Sequence, residues 1–268
     1  MKPVSVFEKL MAVVKRDALS TMRYSHHFIL RGFVLIAELA GIYFLAKAVG
    51  SGYRPEGIEF YSYLLIGTAF LDLAVASVAS FVQNTMEAQL SGTFEVIMST
   101  STPGPAVLFL SVSSTILSRL VHTGTYLFLG TWLFPTQLKR PDPFALLVVG
   151  SLALVLVAAA GMLAAALQVF TFRGTAVVWL LSVSAGFFSG VMFPVSVLPA
   201  PLLEIARLNP LAITLNALRS IFVHEHSVAQ IPQLGFLTAF TLALAVLGPL
   251  SFSWALRYAR KRGTLSQY

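Results

Sequence analysis

The chain has 268 residues, 57% hydrophobic and 11% charged, with a formal net charge of +7 and no cysteine. A soluble domain would carry about twice that charged fraction, and several stretches exceed the ~20 apolar residues needed to cross a bilayer, so a soluble enzyme is excluded. The missing cysteines rule out disulfides, thiol nucleophiles and thiolate metal sites, and basic residues beside apolar stretches report topology rather than nucleic-acid binding.

Residues 3–25 are too polar to span and predict an amphipathic helix. On a wheel of about 100° per residue, Phe7, Leu10, Met11, Val14, Ala18, Thr21 and Met22 share one side. Glu8, Lys9, Lys15, Arg16, Asp17, Ser20 and Arg23 take the other, a basic face suited to an anionic inner leaflet. The helix either anchors at the interface or also docks a cytoplasmic partner. No short apolar core with a small-residue cleavage site precedes it, so no removed signal peptide is expected.

The first span is predicted over about 28–49 and the second over about 58–82, joined by a turn at 51–55. Residues 84–105, NTMEAQLSGTFEVIMSTSTPGP, are too polar and too broken to cross. There Asn84 with Glu87 reads as a helix start and Gly92 as its stop; Thr93 reads as the cap of a second short helix. The third span covers about 106–134, and Pro135 to Pro143 form the outer loop. The fourth covers 144–170, followed by a tight inner turn at Arg173-Gly174. The fifth covers about 176–193.

Beyond it Pro194, Pro199, Pro201 and Pro210 fall within seventeen residues. Each proline removes a backbone donor and breaks a helix interior at a cost of ~3 kcal/mol. Hydrocarbon leaves the freed carbonyls without partners, so such backbone must be buried in protein or face water. Yet Leu202, Leu203, Ile205, Ala206 and Leu208 are too apolar for a solvated loop. Residues 194–220 therefore predict short re-entrant helices at the far membrane surface. The sixth span, about 233–256, ends at Arg257, Arg260, Lys261 and Arg262.

The predicted fold is an all-α polytopic integral membrane protein, a single transmembrane domain over 1–268 with six spans. Six spans put both termini on one side. That side holds eleven basic residues (Lys2, Lys9, Lys15, Arg16, Arg23, Arg31, Arg173 and the four at the end). The other side holds six: Lys47, Arg54, Lys139, Arg140, Arg207 and Arg219. The excess predicts cytoplasmic termini, in a cell inner (plasma) membrane.

Four ionisable residues, Glu38, Asp72, Arg119 and His122, fall near the middle of the first three spans. A charge at that depth normally faces protein or water. They form either a structural polar network or part of a substrate path. Gly186 and Gly190 make a GxxxG, a weak signal for close helix approach. His224-Glu225-His226 lack the spacing and further ligands of a metal site, so no metal is expected. Phosphate-loop, nucleophile-elbow, HExxH and dinucleotide motifs are all absent, which predicts a chain that is not itself an enzyme.

Three matches in order resemble the membrane (permease) subunit of type 2 ABC transporters. Glu87-Ala88-Gln89-Leu90-Ser91-Gly92-Thr93-Phe94-Glu95, with Pro103, is similar to that family's cytoplasmic "E-x-Q-x-x-G-T-x-E…P" segment. Phe172-Arg173-Gly174 is similar to its turn after the fourth span. Ser189-Gly190-Val191-Met192-Phe193-Pro194, Leu198-Pro199 and Asn209-Pro210 with Ala217-Leu218-Arg219 resemble its C-terminal signature. One departure is Met86, where the family often has a basic residue.

The resemblance implies a dimer of such subunits, most simply a homodimer, served by separate nucleotide-binding subunits that carry ATP and Mg. This chain itself would hold no cofactor. It further implies that Glu87, Gln89, Gly92, Thr93 and Glu95 couple to the ATPase, and that Gly190, Phe193, Pro194, Pro199, Asn209 and Pro210 form an outer gate. The expected function is an ATP-driven exporter subunit for amphiphilic cargo: lipid, glycan-lipid or hydrophobic small molecule. Membrane lipid is an expected partner and nucleic acid is not. Two alternatives stay open, a proton-coupled secondary transporter using the four buried charges and a non-transporting membrane scaffold.

Overall fold

Apolar runs bounded by proline and glycine become helices, because in a dry environment a helix satisfies every backbone donor and acceptor internally. The computed structural model describes residues 25–50, 52–98, 102–171 and 173–262. All but the last residue of the predicted amphipathic helix over 3–25 lie outside these, as does Phe172.

The elements in order are α1 (Ser25–Val49), α2 (Phe60–Leu90), α3 (Phe94–Met98), α4 (Gly104–Leu133), α5 (Pro143–Thr171) and α6 (Gly174–Phe188). They are followed by α7 (Ala200–Arg207), α8 (Pro210–His224) and α9 (Leu234–Arg262), with 3₁₀ turns at Pro55–Gly57, Val195–Val197 and Val228–Gln230. No strand occurs among the described residues. Five of these helices, α1, α2, α4, α5 and α9, are long and apolar enough to cross a membrane.

Burial ranks them. The most apolar window of α2 is 67% buried, against 17% for α1 and 11% for α4. The axis of the bundle is therefore α2, which packs against α1, α4, α5, α6 and α8, while α9 lies along α5. Outer faces carry Phe33, Phe44, Val121, Phe128, Trp132, Trp179, Leu242 and Trp254 exposed, as a lipid-facing surface would.

Two buried layers define the ends. At the end holding the starts of α2 and α9, here the apical end, Leu39, Tyr61, Tyr63, Leu65, Phe70 and Tyr126 pack with Val191 and Leu215. At the opposite, basal end, Phe81, Phe94, Leu108, Val112, Met162, Val169, Phe252 and Leu256 form the second layer. The helices alternate in direction between these ends.

Three element boundaries differ from the sequence expectation. Asn84 is not a helix start, because α2 runs unbroken to Leu90. The helix of the predicted fifth span, α6, stops at Phe188 rather than 193: Gly190 sits at φ +73°, a left-handed conformation that favours glycine and ends the helix. The last helix continues through Pro249 to Arg262, six residues beyond its predicted end.

Candidate functional site

The residues singled out from sequence fall into three groups.

The basal group closes α2. The Ser91 amide donates to the Glu87 carbonyl at 2.9 Å and the Gly92 amide to that of Gln89 at 3.1 Å, with Gly92 at φ +67°. Phe94, 1% exposed, drives α3 into the basal core. That anchor leaves Glu87, Leu90, Thr93, Glu95 and Val96 on the outer surface. Two carboxylates and two apolar side chains at one bundle end make a patch fit for a protein partner.

Gln89 does something else. It is 4% exposed, and its Oε1 accepts a hydrogen bond from Gln168 Nε2 at 3.0 Å. The Gln168 Oε1 in turn accepts from the Gly174 amide at 2.6 Å. A buried amide chain thus ties the end of α2 to the end of α5 and the first residue of α6. The polar character of Gln168, inside the most apolar span, was the sequence signal for this link.

The middle group gathers all four predicted intramembrane charges. Asp72 lies about 18 Å into α2 at 1.5 Å per residue. Its Oδ2 is 3.7 Å from Arg119 Nη1 and 3.5 Å from His122 Nδ1, both on α4. Glu38 from α1 borders the same small polar cavity as Asp72, His122 and Tyr126. The Tyr126 and Thr68 hydroxyls lie 3.2 Å apart across it. Asp72, Arg119 and His122 keep 42%, 41% and 37% of their side-chain surface open, so the cluster breaks through one side of the bundle.

The third group is the broken segment, which starts at the apical Ser189-Gly190 turn and re-enters the bundle, so that Asn209 and Pro210 stand level with Ala74 and Val78 of α2, past Asp72. After the Ser189-Gly190 turn, Pro194 is buried, and Phe193 meets Phe187 edge-on at 6.3 Å. Pro199 precedes α7. Asn209 caps α8, its side-chain oxygen accepting from the Leu211 amide at 3.0 Å, with Pro210 at the first helical position, where no donor is lost. Asn209 and Pro210 also border an apolar cavity of about 230 Å³ walled by Ala74, Val78, Val157 and Ala185.

Arg219 holds this segment to the axis, a role its sequence position did not signal. It is 1% exposed, and its Nη2 donates to the carbonyls of Tyr63 at 3.2 Å and Val191 at 3.3 Å. Its guanidinium carbon lies 3.3 Å from the Tyr63 ring centre, and the Tyr63 hydroxyl donates to the Gly190 carbonyl at 2.6 Å. Arg219 entered the charge count as one of six basic residues on the side away from the termini; it is buried between α2 and the 189–194 turn.

Gly186 is open, so the Gly186/Gly190 pair makes no close helix contact within the chain. His224-Glu225-His226 form the end of α8, with Glu225 at φ +55° and 3.7 Å from Lys139. Among the described residues no group of three or more His, Asp or Glu could hold a metal.

Long apolar helices around a buried axis, a charged cluster at mid-depth and a helix broken at one end define a multi-pass membrane protein built to admit polar groups at bilayer depth. The family model described as ABC-2 type transporter matches residues 8–223, from the unassigned start through α8. The chain belongs to that family and is a transporter permease component. No individual curated protein matches it.

Proposed function

We propose that this chain is the permease subunit of an ATP-driven exporter. As a dimer it forms the path for an amphiphilic cargo, and separate nucleotide-binding subunits, which carry ATP and Mg, dock at its basal end. The observation that carries this reading is the continuous link from basal surface to apical turn. Glu87, Leu90, Glu95 and Val96 offer a docking patch. Directly behind it, Gln89, Gln168 and Gly174 join that patch to the base of α6. The other end of α6 is the Ser189-Gly190 turn that enters the proposed gate of Gly190, Phe193, Pro194, Pro199, Asn209 and Pro210. A push at the patch then moves α6 as a rigid rod. ATP supplies the bias through its different affinity for two states of the assembly.

The reading includes six crossings, with α6 as the fifth. At 15 residues α6 is about 22 Å long, short of a ~30 Å hydrocarbon core. However, α5 ends basally and α9 starts apically, so the chain between them must traverse the bundle. The non-helical 189–194 turn completes the crossing. Termini on the cytoplasmic side of the inner membrane follow from the basic excess beside the basal helix ends.

Reversing both patch carboxylates tests the docking. Glu87→Arg with Glu95→Arg is expected to abolish transport-coupled ATP hydrolysis in reconstituted vesicles while leaving the chain folded. Unchanged coupling overturns the assignment.

A further inference from the structure

Away from the three groups, the apical end holds a cavity of about 650 Å³ between the end of α1, the start of α2 and the loop after α4. We propose that it binds the phosphate-bearing head group of an amphiphile. Its walls are fixed before any ligand arrives. Tyr43 stacks on Phe134 with ring centres 4.3 Å apart and meets Tyr61 edge-on at 5.3 Å. The Tyr61 hydroxyl donates to the Gly130 carbonyl at 3.0 Å. The loop is sewn to α2 by the Glu59 amide donating to Gln137 Oε1 at 3.1 Å and the Gln137 amide donating to Ser62 Oγ at 2.9 Å. A preformed site of this size falls in the range of known ligand pockets, roughly 300–1,000 Å³, and its occupant loses less entropy on binding.

Its charge selects an anion. Lys47 and Arg54 border the cavity, and neither makes an ion pair among the described residues. The carboxylate on the wall is Glu59, which accepts from the Ser62 hydroxyl at 3.2 Å. Two cations against one carboxylate leave a net positive site. The first turn of α2 opens here without a side-chain cap, adding its amide dipoles to the same potential. Arginine and lysine on one anion match phosphate, with charge-assisted bonds about twice as strong as neutral ones.

The remaining wall argues for an amphiphile over a free anion. Tyrosine rings offer an apolar face with a polar rim, which suits a glycerol or sugar moiety next to the phosphate. Along α1 the neighbouring Phe44 is exposed, giving an acyl chain an apolar surface beside Lys47. This site stands whether or not the proposed transport reading holds; the orientation decides only which leaflet supplies the lipid.

The test titrates the full-length chain in detergent micelles with dioctanoyl phosphatidic acid, dioctanoylglycerol and inorganic phosphate, counting bound molecules by native mass spectrometry. The phosphatidic acid should bind and the diacylglycerol should not. Lys47→Met with Arg54→Met should weaken binding about tenfold. The charge-keeping pair Lys47→Arg with Arg54→Lys should retain it, and Glu59→Gln should strengthen it. Arg140→Met with Arg207→Met, two cations that do not border the cavity, should leave it unchanged. Equal binding of diacylglycerol, equally tight binding of inorganic phosphate, or equal loss in the Arg140/Arg207 pair each overturns the proposal, and so does an unaffected charge-keeping pair together with an unaffected Lys47/Arg54 methionine pair.

Discussion

Arg219 poses the sharpest energetic question at the scale of single residues. Burying a guanidinium costs several kcal/mol even after relaxation, and among the described residues no carboxylate forms an ion pair with it. Two carbonyls and the face of Tyr63 offset part of that cost, the ring contact by about 2 kcal/mol at a desolvated site. Nε and Nη1 find no hydrogen-bond partner among the described residues. Packing around it is tight, since a methyl group at Gly67 would stand 2.8 Å from the Val191 carbonyl and 3.0 Å from Nη2. A well-fitted apolar side chain in place of a buried charge is often neutral or stabilising, so Arg219 is a poor device for stability and a good one for pinning the 189–194 turn to α2. Arg219→Met should accordingly leave Tm within a few degrees while freeing the turn. Because the chain has no cysteine, Val195→Cys gives a unique probe. Its labelling by a membrane-impermeant maleimide should rise roughly tenfold in the Arg219→Met background, the effect of losing about 1.4 kcal/mol of closed-state preference. An unchanged labelling rate with a collapsed Tm would make Arg219 a plain structural residue.

Among the elements, the junction of α2, α5 and α6 carries the most consequence. A buried amide deprived of its partner costs about 1–3 kcal/mol, whereas removing both partners together is close to neutral. Gln89→Leu and Gln168→Leu should each lower stability by about that amount, and the double variant should lose clearly less than their sum. Thermal unfolding in detergent measures it; strictly additive losses would mean that the two amides do not form a unit. The same junction shows what the sequence could and could not reveal. Five long apolar helices, the turns between them and the proline-broken segment were legible because hydropathy and proline act locally. The uninterrupted run of α2 was not, since Thr85 and Gln89 are polar yet buried on one helical stripe with Phe81 and Val82. Their partners lie on other helices, so a one-dimensional reading takes them for loop. Gly190 hid the end of α6 similarly: the Tyr63 hydroxyl that donates to its carbonyl lies 127 residues away in sequence. The four intramembrane charges were individually legible, but only the packing of α1, α2 and α4 shows that they meet.

At the scale of the whole molecule, the opening of that charged cluster to one side calls for cover by protein or water. Side chains of Asp72, Arg119 and His122 that keep more than a third of their surface cannot face hydrocarbon without a cost of about 2.5–3.5 kcal/mol or more per charge. Glu38, exposed on α1, belongs to the same edge, together with Val34, Gly41 and Leu45 on one helical face. Leu35, Leu39 and Ala46, about 110° round the helix from that face, pack into the bundle. A second copy applied across a two-fold axis would cover this edge with its own counterpart and enclose a polar seam between the two. Residues near such an axis meet themselves. Gly41→Cys, with nothing within 4 Å of its added side chain in the single chain, should then give oxidatively crosslinked dimers in reconstituted membranes, and Val34→Cys should do so about two turns away. Val155→Cys, exposed on α5 on the lipid-facing side, serves as the control and should stay monomeric under the same oxidation. Crosslinking at Val155 without crosslinking at Gly41 or Val34 would move the interface to another face and leave the charged cluster to be covered by a water-filled path within a single subunit.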